Sequence, residues 1–175
     1  YEFGPGEEMQ HDTSPHRVEL GGKAVTLHCA SLVLCFSRRR FVQYYRTWNR
    51  FRARIFLTEA LRFLGGSARR CMLDNSTVLI LPGGTGRDAV PAPESKAFAE
   101  HFGFEFVAHE KGDANRSARV EGPFWHVENN FLAGRTFGDL ADMNSQALGW
   151  CGRVNATATR ALGALPGGRQ TGAHG

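Results

Sequence analysis

The stretch Arg70-Cys71-Met72-Leu73-Asp74-Asn75 decides how the rest of the chain is read, because a run of three apolar residues ends abruptly in a carboxylate. Cys71, Met72 and Leu73 suit a strand buried on both faces. Such a strand delivers Asp74 to the C-terminal rim of a sheet, where open α/β sheets bind their ligands. The reading then turns on whether other segments bring further carboxylates to the same rim.

With 175 residues, 42% of them hydrophobic, the chain is long enough for one domain with its own core and too short for two. Lys and Arg outnumber Asp and Glu by 21 to 17, giving a net charge of +4 and a pI near 9.1, which suits a polyanionic partner without requiring one. Cys29, Cys35, Cys71 and Cys151 show no C-x-x-C spacing and mostly fall in apolar runs. That predicts reduced, buried thiols and a cytoplasmic setting. No apolar stretch approaches the roughly 18 residues of a membrane span, and no secretory signal opens the chain, so no membrane role is expected. The chain opens on Tyr1 rather than methionine, as an excised piece of a longer protein would.

Residues 1–8 are rich in glycine, proline and acid and read as a lead-in, with the folded core expected over 9–162. Residues 9–13 form a candidate strand carrying Asp12, which Ser14-Pro15 should end because proline donates no ladder hydrogen bond. Residues 18–20, the Gly21-Gly22 pair and the apolar run 24–36 read as a hairpin. A charged turn at 37–40 leads to a third strand over 41–45, so the chain opens as an antiparallel meander. The hydrophobic period then changes to helical. Over 50–64, Phe51, Ile55, Leu57, Leu61 and Leu64 form an apolar stripe, Asn49 is the N-cap and Gly65-Gly66 the stop. After the strand that ends at Asp74, residues 82–93 read as a mobile loop, 95–102 as a helix stopped by Gly103, and 104–108 as a strand. Residues 110–117 are polar. Val120, Phe124, Val127 and Phe131 then give a helical stripe that starts close to Glu121, since Pro123 fits only a first turn. Residues 139–162 read as a last helix with Leu140, Met143, Ala147, Trp150 and Val154 inward, and 163–175 as a disordered tail.

This order places Asp12 on the first strand, Asp74 after the fourth and Glu121 at the start of a late helix, 62 and 47 residues apart. A mixed sheet with the first and fourth strands adjacent brings the two aspartates together, and a helix packed on it turns Glu121 toward them. Carboxylates so close repel unless a cation neutralises them. Magnesium prefers oxygen ligands, and two such ions roughly 3.5–4 Å apart clamp both oxygens of an in-line phosphoryl transfer. Read singly, each acid has a plainer role: Asp12 and Asp74 suit turns, and Glu121 complements the positive end of its helix. Glu128, seven residues on and on roughly the same helix face, competes with Glu121 for the third position.

Around these acids, Leu34-Cys35-Phe36-Ser37-Arg38-Arg39-Arg40-Phe41-Val42, then Phe63-Leu64-Gly65-Gly66 leading into Cys71-Met72-Leu73-Asp74-Asn75, then Phe98-Ala99-Glu100-His101-Phe102-Gly103-Phe104 occur in order. Together they resemble the integrase-like catalytic core of bacterial insertion-sequence transposases of the IstA type, over roughly residues 8–166. The resemblance implies a ribonuclease-H-like α/β fold, a mixed five-stranded sheet with helices on both faces. It implies a DDE active site in which Asp12, Asp74 and Glu121 are the catalytic acids and the ligands of two magnesium ions, replaceable by manganese. Such enzymes nick DNA at transposon ends to free a 3′ hydroxyl and join it to target DNA, as homo-oligomers served by an AAA+ ATPase helper, in a nucleoid-associated, cytoplasmic setting. Family members approach the third acid through Lys-Gly, whereas this chain has Asn115-Arg116-Ser117-Ala118-Arg119-Val120-Glu121 followed by Gly122-Pro123. The family's end-recognising helix-turn-helix domains and its small C-terminal domain would lie outside residues 1–175, so the chain alone is expected to lack sequence-specific end recognition.

Arg38, Arg39 and Arg40 in the charged turn, and Arg116 and Arg119 beside the third acid, are the candidate phosphate contacts, which give sequence-independent affinity for DNA. His11, His109 and His126 are not spaced as zinc ligands. Phe124-Trp125 reads as core rather than as a base-stacking platform. Two further functions stay open on the sequence. One is a nuclease of the same architecture that only hydrolyses, since water and a 3′ hydroxyl are activated alike. The other is a non-catalytic DNA-binding or assembly module derived from such an enzyme.

Overall fold

In the computed structural model of the protein, residues 3–73, 78–81, 90–108 and 124–163 are described. The chain begins with β1 (Glu8–Leu20) and β2 (Lys23–Leu34), joined by Gly21 and Gly22. Their φ angles of 57° and 82° suit a two-residue hairpin loop and strain any residue with a side chain. β3 (Arg40–Tyr45) completes the antiparallel meander. Against expectation, β1 runs unbroken through Ser14 and Pro15, with Pro15 paired to His28. Among the described residues, the other edge of β1 is bonded to a strand only from Glu8 to His11, so beyond that point a residue without an N–H breaks no second ladder there.

The first helix, α1 (Arg50–Leu64), starts and stops at the expected residues. Asn49 Oδ1 accepts the Arg52 amide at 2.8 Å, and Gly65, at φ 82°, donates to the Leu61 carbonyl. Its inner face is rotated from the expected stripe: Ala53, Phe56, Leu57, Ala60, Leu61 and Leu64 are buried, while Phe51 is exposed. The small alanines, which a search for bulky residues passes over, let the helix lie close to the sheet. There follow β4 (Arg70–Leu73), α2 (Pro93–Phe102) and β5 (Glu105–Ala108). The last elements are a π-helical segment, α3 (Val127–Leu132), and the long α4 (Leu140–Gly163), whose first turn is capped by Asp139 Oδ1 accepting the Asp142 amide at 2.7 Å.

The five strands lie in the order β3-β2-β1-β4-β5, with β4 and β5 parallel to β1. Side chains alternate across this sheet. Met9 and His11 of β1 face α1 and α2, with Leu32, Phe41, Cys71, Leu73 and Phe106 completing that core. His16, Val18 and Leu20 face α3 and α4, together with Cys29, Tyr44, Phe131, Met143 and Trp150. Helices thus cover both faces of a mixed five-stranded sheet. Among the described residues, no helix is long and apolar enough to cross a membrane.

Candidate active site

The parallel pair at the centre of the sheet positions the site. Met9 lies beside Cys71, Gln10 beside Met72 and His11 beside Leu73. Asp12 is the next residue on β1, as Asp74 is the next in sequence after β4. Asp12 is half-buried, pairs with Ser31 of β2, and by alternation shares the sheet face that α3 and α4 cover. Asp74, Glu121, Arg116, Arg119 and His109 lie outside the described residues, as do residues 82–89 of the expected loop over 82–93, the polar segment 110–117 and all of the expected tail over 163–175 except Gly163, which ends α4. The end of that loop is bonded instead, the Leu81 amide donating to the Val90 carbonyl and the Ala92 amide to the Leu79 carbonyl before α2 begins at Pro93. Among the described residues, no group of three or more His, Cys, Asp or Glu side chains is gathered as a metal site. Asp12 is thus the one member of the expected trio that can be described.

Two histidines of β1 surround this carboxylate and do different things. His11 turns to the opposite face, its ring 5.3 Å from Phe56 and 6.0 Å from Trp48, and its Nδ1 lies 3.0 Å from the Ser31 carbonyl oxygen. Burial pushes its pKa down to about 4, so it is a neutral imidazole of the core. His16 lies on the Asp12 face, four residues further along, which is about 13 Å in an extended strand. Its Nε2 is 3.6 Å from Glu128 Oε1 and its Nδ1 3.3 Å from the Tyr44 hydroxyl. Glu128, the rival third acid, therefore faces His16.

The charged turn occupies a different rim from Asp12. Its residues follow Leu34, which pairs with Met9, and Cys35 donates to the Glu8 carbonyl, so the turn lies beyond the start of β1 while Asp12 lies toward the far end of its paired stretch. Arg40 is not a turn residue: it opens β3 and is 9% exposed, with its backbone N–H and C=O both bonded to the Asn155 side chain. Arg39 is half-buried and donates to the Leu64 carbonyl at 3.2 Å, while Arg38 is exposed at φ 63°. Arg38, Arg39 and Arg40 thus stand at the opposite end of the paired stretch of β1 from Asp12, a placement that local charge in the sequence did not reveal. Trp125, expected in the core, is 55% exposed, whereas Phe124 packs its ring edge-on to His16 at 5.4 Å. The four cysteines are free and buried. Burial raises the thiols of Cys29 and Cys71 far above their ordinary range and that of Cys151 to about 11.

The strand order, the parallel β1–β4 pair and the helices on both faces define a ribonuclease-H-like core of the integrase type. The same fold occurs in a chain of the simian T-cell lymphotropic virus intasome, solved in complex with the PP2A regulatory subunit B56 gamma, with a TM-score of 0.56 and 15% identity over 82% of this chain and 47% of that one. It also occurs in the HTLV-2 integrase catalytic core domain in complex with magnesium, with a TM-score of 0.50 and 14% identity over 85% of this chain and 86% of that one. In sequence, the chain is similar over most of its length to transposases of IS21-type insertion sequences. It is 25% identical over 151 residues to the transposase of an IS21-like element of Bacteroides fragilis, covering 85% of this chain and 29% of that protein. It is 26% identical over 155 residues to the IS640 transposase of Shigella sonnei, covering 88% of this chain and 49% of that protein. The chain therefore spans less than half the length of these relatives. No family model matches it.

Proposed function

We propose that the chain is the catalytic core of a DDE transposase that cuts a DNA strand to expose a 3′ hydroxyl and transfers that end to target DNA, with Asp12, Asp74 and Glu121 as its acids. The observation that carries this reading is the register of β1 against β4. With His11 beside Leu73, the two sequence neighbours Asp12 and Asp74 each follow a paired residue, and consecutive Cα atoms are only 3.8 Å apart. Glu121 is three residues before Phe124, which packs on the same face of β1, and three residues span at most about 10 Å. Homology to transposases over 85% or more of the chain supports assigning these acids to that chemistry.

The donor set suits magnesium. Carboxylate oxygens are its preferred ligands, while the nearby imidazoles are otherwise occupied: His11 faces the other side of the sheet and His16 faces Glu128. In the proposed site Asp12 and Asp74 hold the metal from adjacent strands and Glu121 closes it from the helix side. When bound, magnesium supplies charge that favours the ionised nucleophile and offsets the charge developing on the phosphate. The metal site comprises two ions, and manganese substitutes for magnesium. Arg116 and Arg119, close in sequence to Glu121, contact the DNA backbone. The partners are transposon-end and target DNA, further copies of the chain and an AAA+ ATPase, in the bacterial cytoplasm.

The test is a cleavage and joining assay on duplexes labelled at one 3′ end, with magnesium or manganese, comparing the parent with Asp74→Asn. Cleavage and joined product are expected from the parent. Asp74→Asn, which keeps the shape of the side chain and removes its charge, should lower both by more than about 100-fold, a loss beyond that usual for an outer-shell residue, with an unchanged melting temperature. Cleavage without joining would make the protein a nuclease of the same fold. Neither cleavage nor metal binding would leave a non-catalytic DNA-binding or assembly module.

A further inference from the structure

His16 is the meeting point of three elements on the face that bears Asp12. Its ring lies 5.8 Å from Tyr44 of β3 and 5.4 Å, edge-on, from Phe124, while its Nε2 looks at the Glu128 carboxylate of α3 from 3.6 Å. Phe124 and Glu128 belong to one turn, since the Glu128 amide donates to the Phe124 carbonyl at 2.9 Å. The imidazole is buried, and its Nε2 forms no hydrogen bond within the described residues, so the facing carboxylate is its polar neighbour on that side. α3 is π-helical, a geometry that is rarely stable without tertiary support and that often occurs at functional sites.

We propose that His16 is a positioning residue: by holding Phe124 and Glu128 against the Asp12 face of β1, it sets where the chain that carries Glu121 meets the sheet. The inference rests on the reading of Glu121 as the third acid. Only three residues separate Glu121 from Phe124, so a shift of Phe124 is passed on over a tether of about 10 Å at most. The role also gives the carboxylate at position 128 a partner of its own in His16.

Protonation strengthens this hold. A charged imidazole donates from both nitrogens, through Nε2–H toward Glu128 and through Nδ1–H to the Tyr44 hydroxyl. Burial lowers the His16 pKa, and the Glu128 charge opposes that shift. The other titratable groups packed around it are Tyr44, with Cys29 of β2 and Cys151 of α4 behind it, all held neutral by burial. Asp12 is the further charged group on the same face of β1.

The experiment uses the whole chain and the variants Glu128→Gln and His16→Ala, with three readouts: the His16 pKa by imidazole NMR, manganese affinity by paramagnetic resonance, and single-turnover cleavage against pH. In the parent, the cleavage profile should inflect at the NMR pKa of His16. In Glu128→Gln, that pKa should fall and the inflection should move with it, at an unchanged melting temperature. Both variants should bind manganese several-fold more weakly and cut several-fold more slowly, with the KM for DNA unchanged. A His16 pKa indifferent to Glu128→Gln, or variants that fold, bind manganese and cut like the parent, would overturn the positioning role while leaving the acids intact. A parent that neither binds manganese nor cuts would overturn the reading of the acids and this inference with it.

Discussion

Single residues gain their chemistry here from which face of a strand they occupy. His11 and Asp12 are neighbours in sequence, yet one is a neutral core imidazole and the other a half-buried carboxylate on the opposite face. The cysteines show the same control by burial. Because the thiolate is the reactive form and burial disfavours it, the folded protein should resist a thiol-specific reagent below pH 9, and all four cysteines should react once it is unfolded, as counted by mass spectrometry. Cys151 has a further consequence. Its pKa is raised by burial from 9.0 to about 11, with the Val42 amide and Arg40 pulling the other way. A raised pKa means that the unfolded thiol ionises first, so its stabilising effect is complete below pH 9 and is lost as pH rises through about 11. The loss should be on the order of 2–3 kcal/mol, and urea melts of Cys151→Ser should show a shallower fall in stability over that window. None of this was visible in the sequence beyond the placing of cysteines in apolar runs.

At the scale of elements, the edge strand β3 is closed by a helix rather than by another strand. Asn144 bonds both the amide and the carbonyl of Tyr44, at 2.8 and 3.0 Å, and Asn155 does the same for Arg40, at 2.7 and 2.8 Å. Between them the Val42 amide bonds the Cys151 thiol. Two asparagines on one helix thus satisfy backbone groups that would otherwise invite a further strand. Asn155→Ala would leave a buried N–H and a buried C=O without that partner, and should cost about 2–4 kcal/mol in a denaturant melt. An exposed control, Thr157→Ala, should stay within about 0.5 kcal/mol. The sequence reads well wherever one local rule decides the matter. Asn49 and Gly65 bound α1, Gly21-Gly22 makes a hairpin, Gly103 stops α2 and the inner stripe of α4 is correctly phased. It misleads where partners far along the chain decide. Pro15 is tolerated because of what β4 leaves unpaired, Phe51 is exposed because alanines face the sheet, and the π-helical α3 buries Val127 and Phe131 in a core built by distant strands and α4. The strapping of β3 by Asn144 and Asn155 spans 100 and 115 residues, and no local pattern announces it.

Across the whole molecule, the register of two parallel strands joins Asp12 to a segment more than sixty residues away, and the account of function rests on that juxtaposition. The same topology sends the residues after β2, Arg38 and Arg39 among them, to a different rim from Asp12. DNA binding should therefore weaken steeply with salt through Arg116 and Arg119, each phosphate contact contributing roughly 0.9 to the log–log slope. Arg119→Ala should lower that slope by about one on two unrelated duplexes alike, whereas Arg38→Ala should leave it unchanged, as measured by fluorescence anisotropy. A strong preference for one duplex would show that the core itself reads bases. The most direct test of the central claim is anomalous diffraction from a crystal of the protein soaked in manganese. The account predicts a peak bridged by the carboxylates of Asp12 and Asp74, absent from Asp74→Asn. A peak at other residues, or Asp12 and Asp74 too far apart to share an ion, would contradict it.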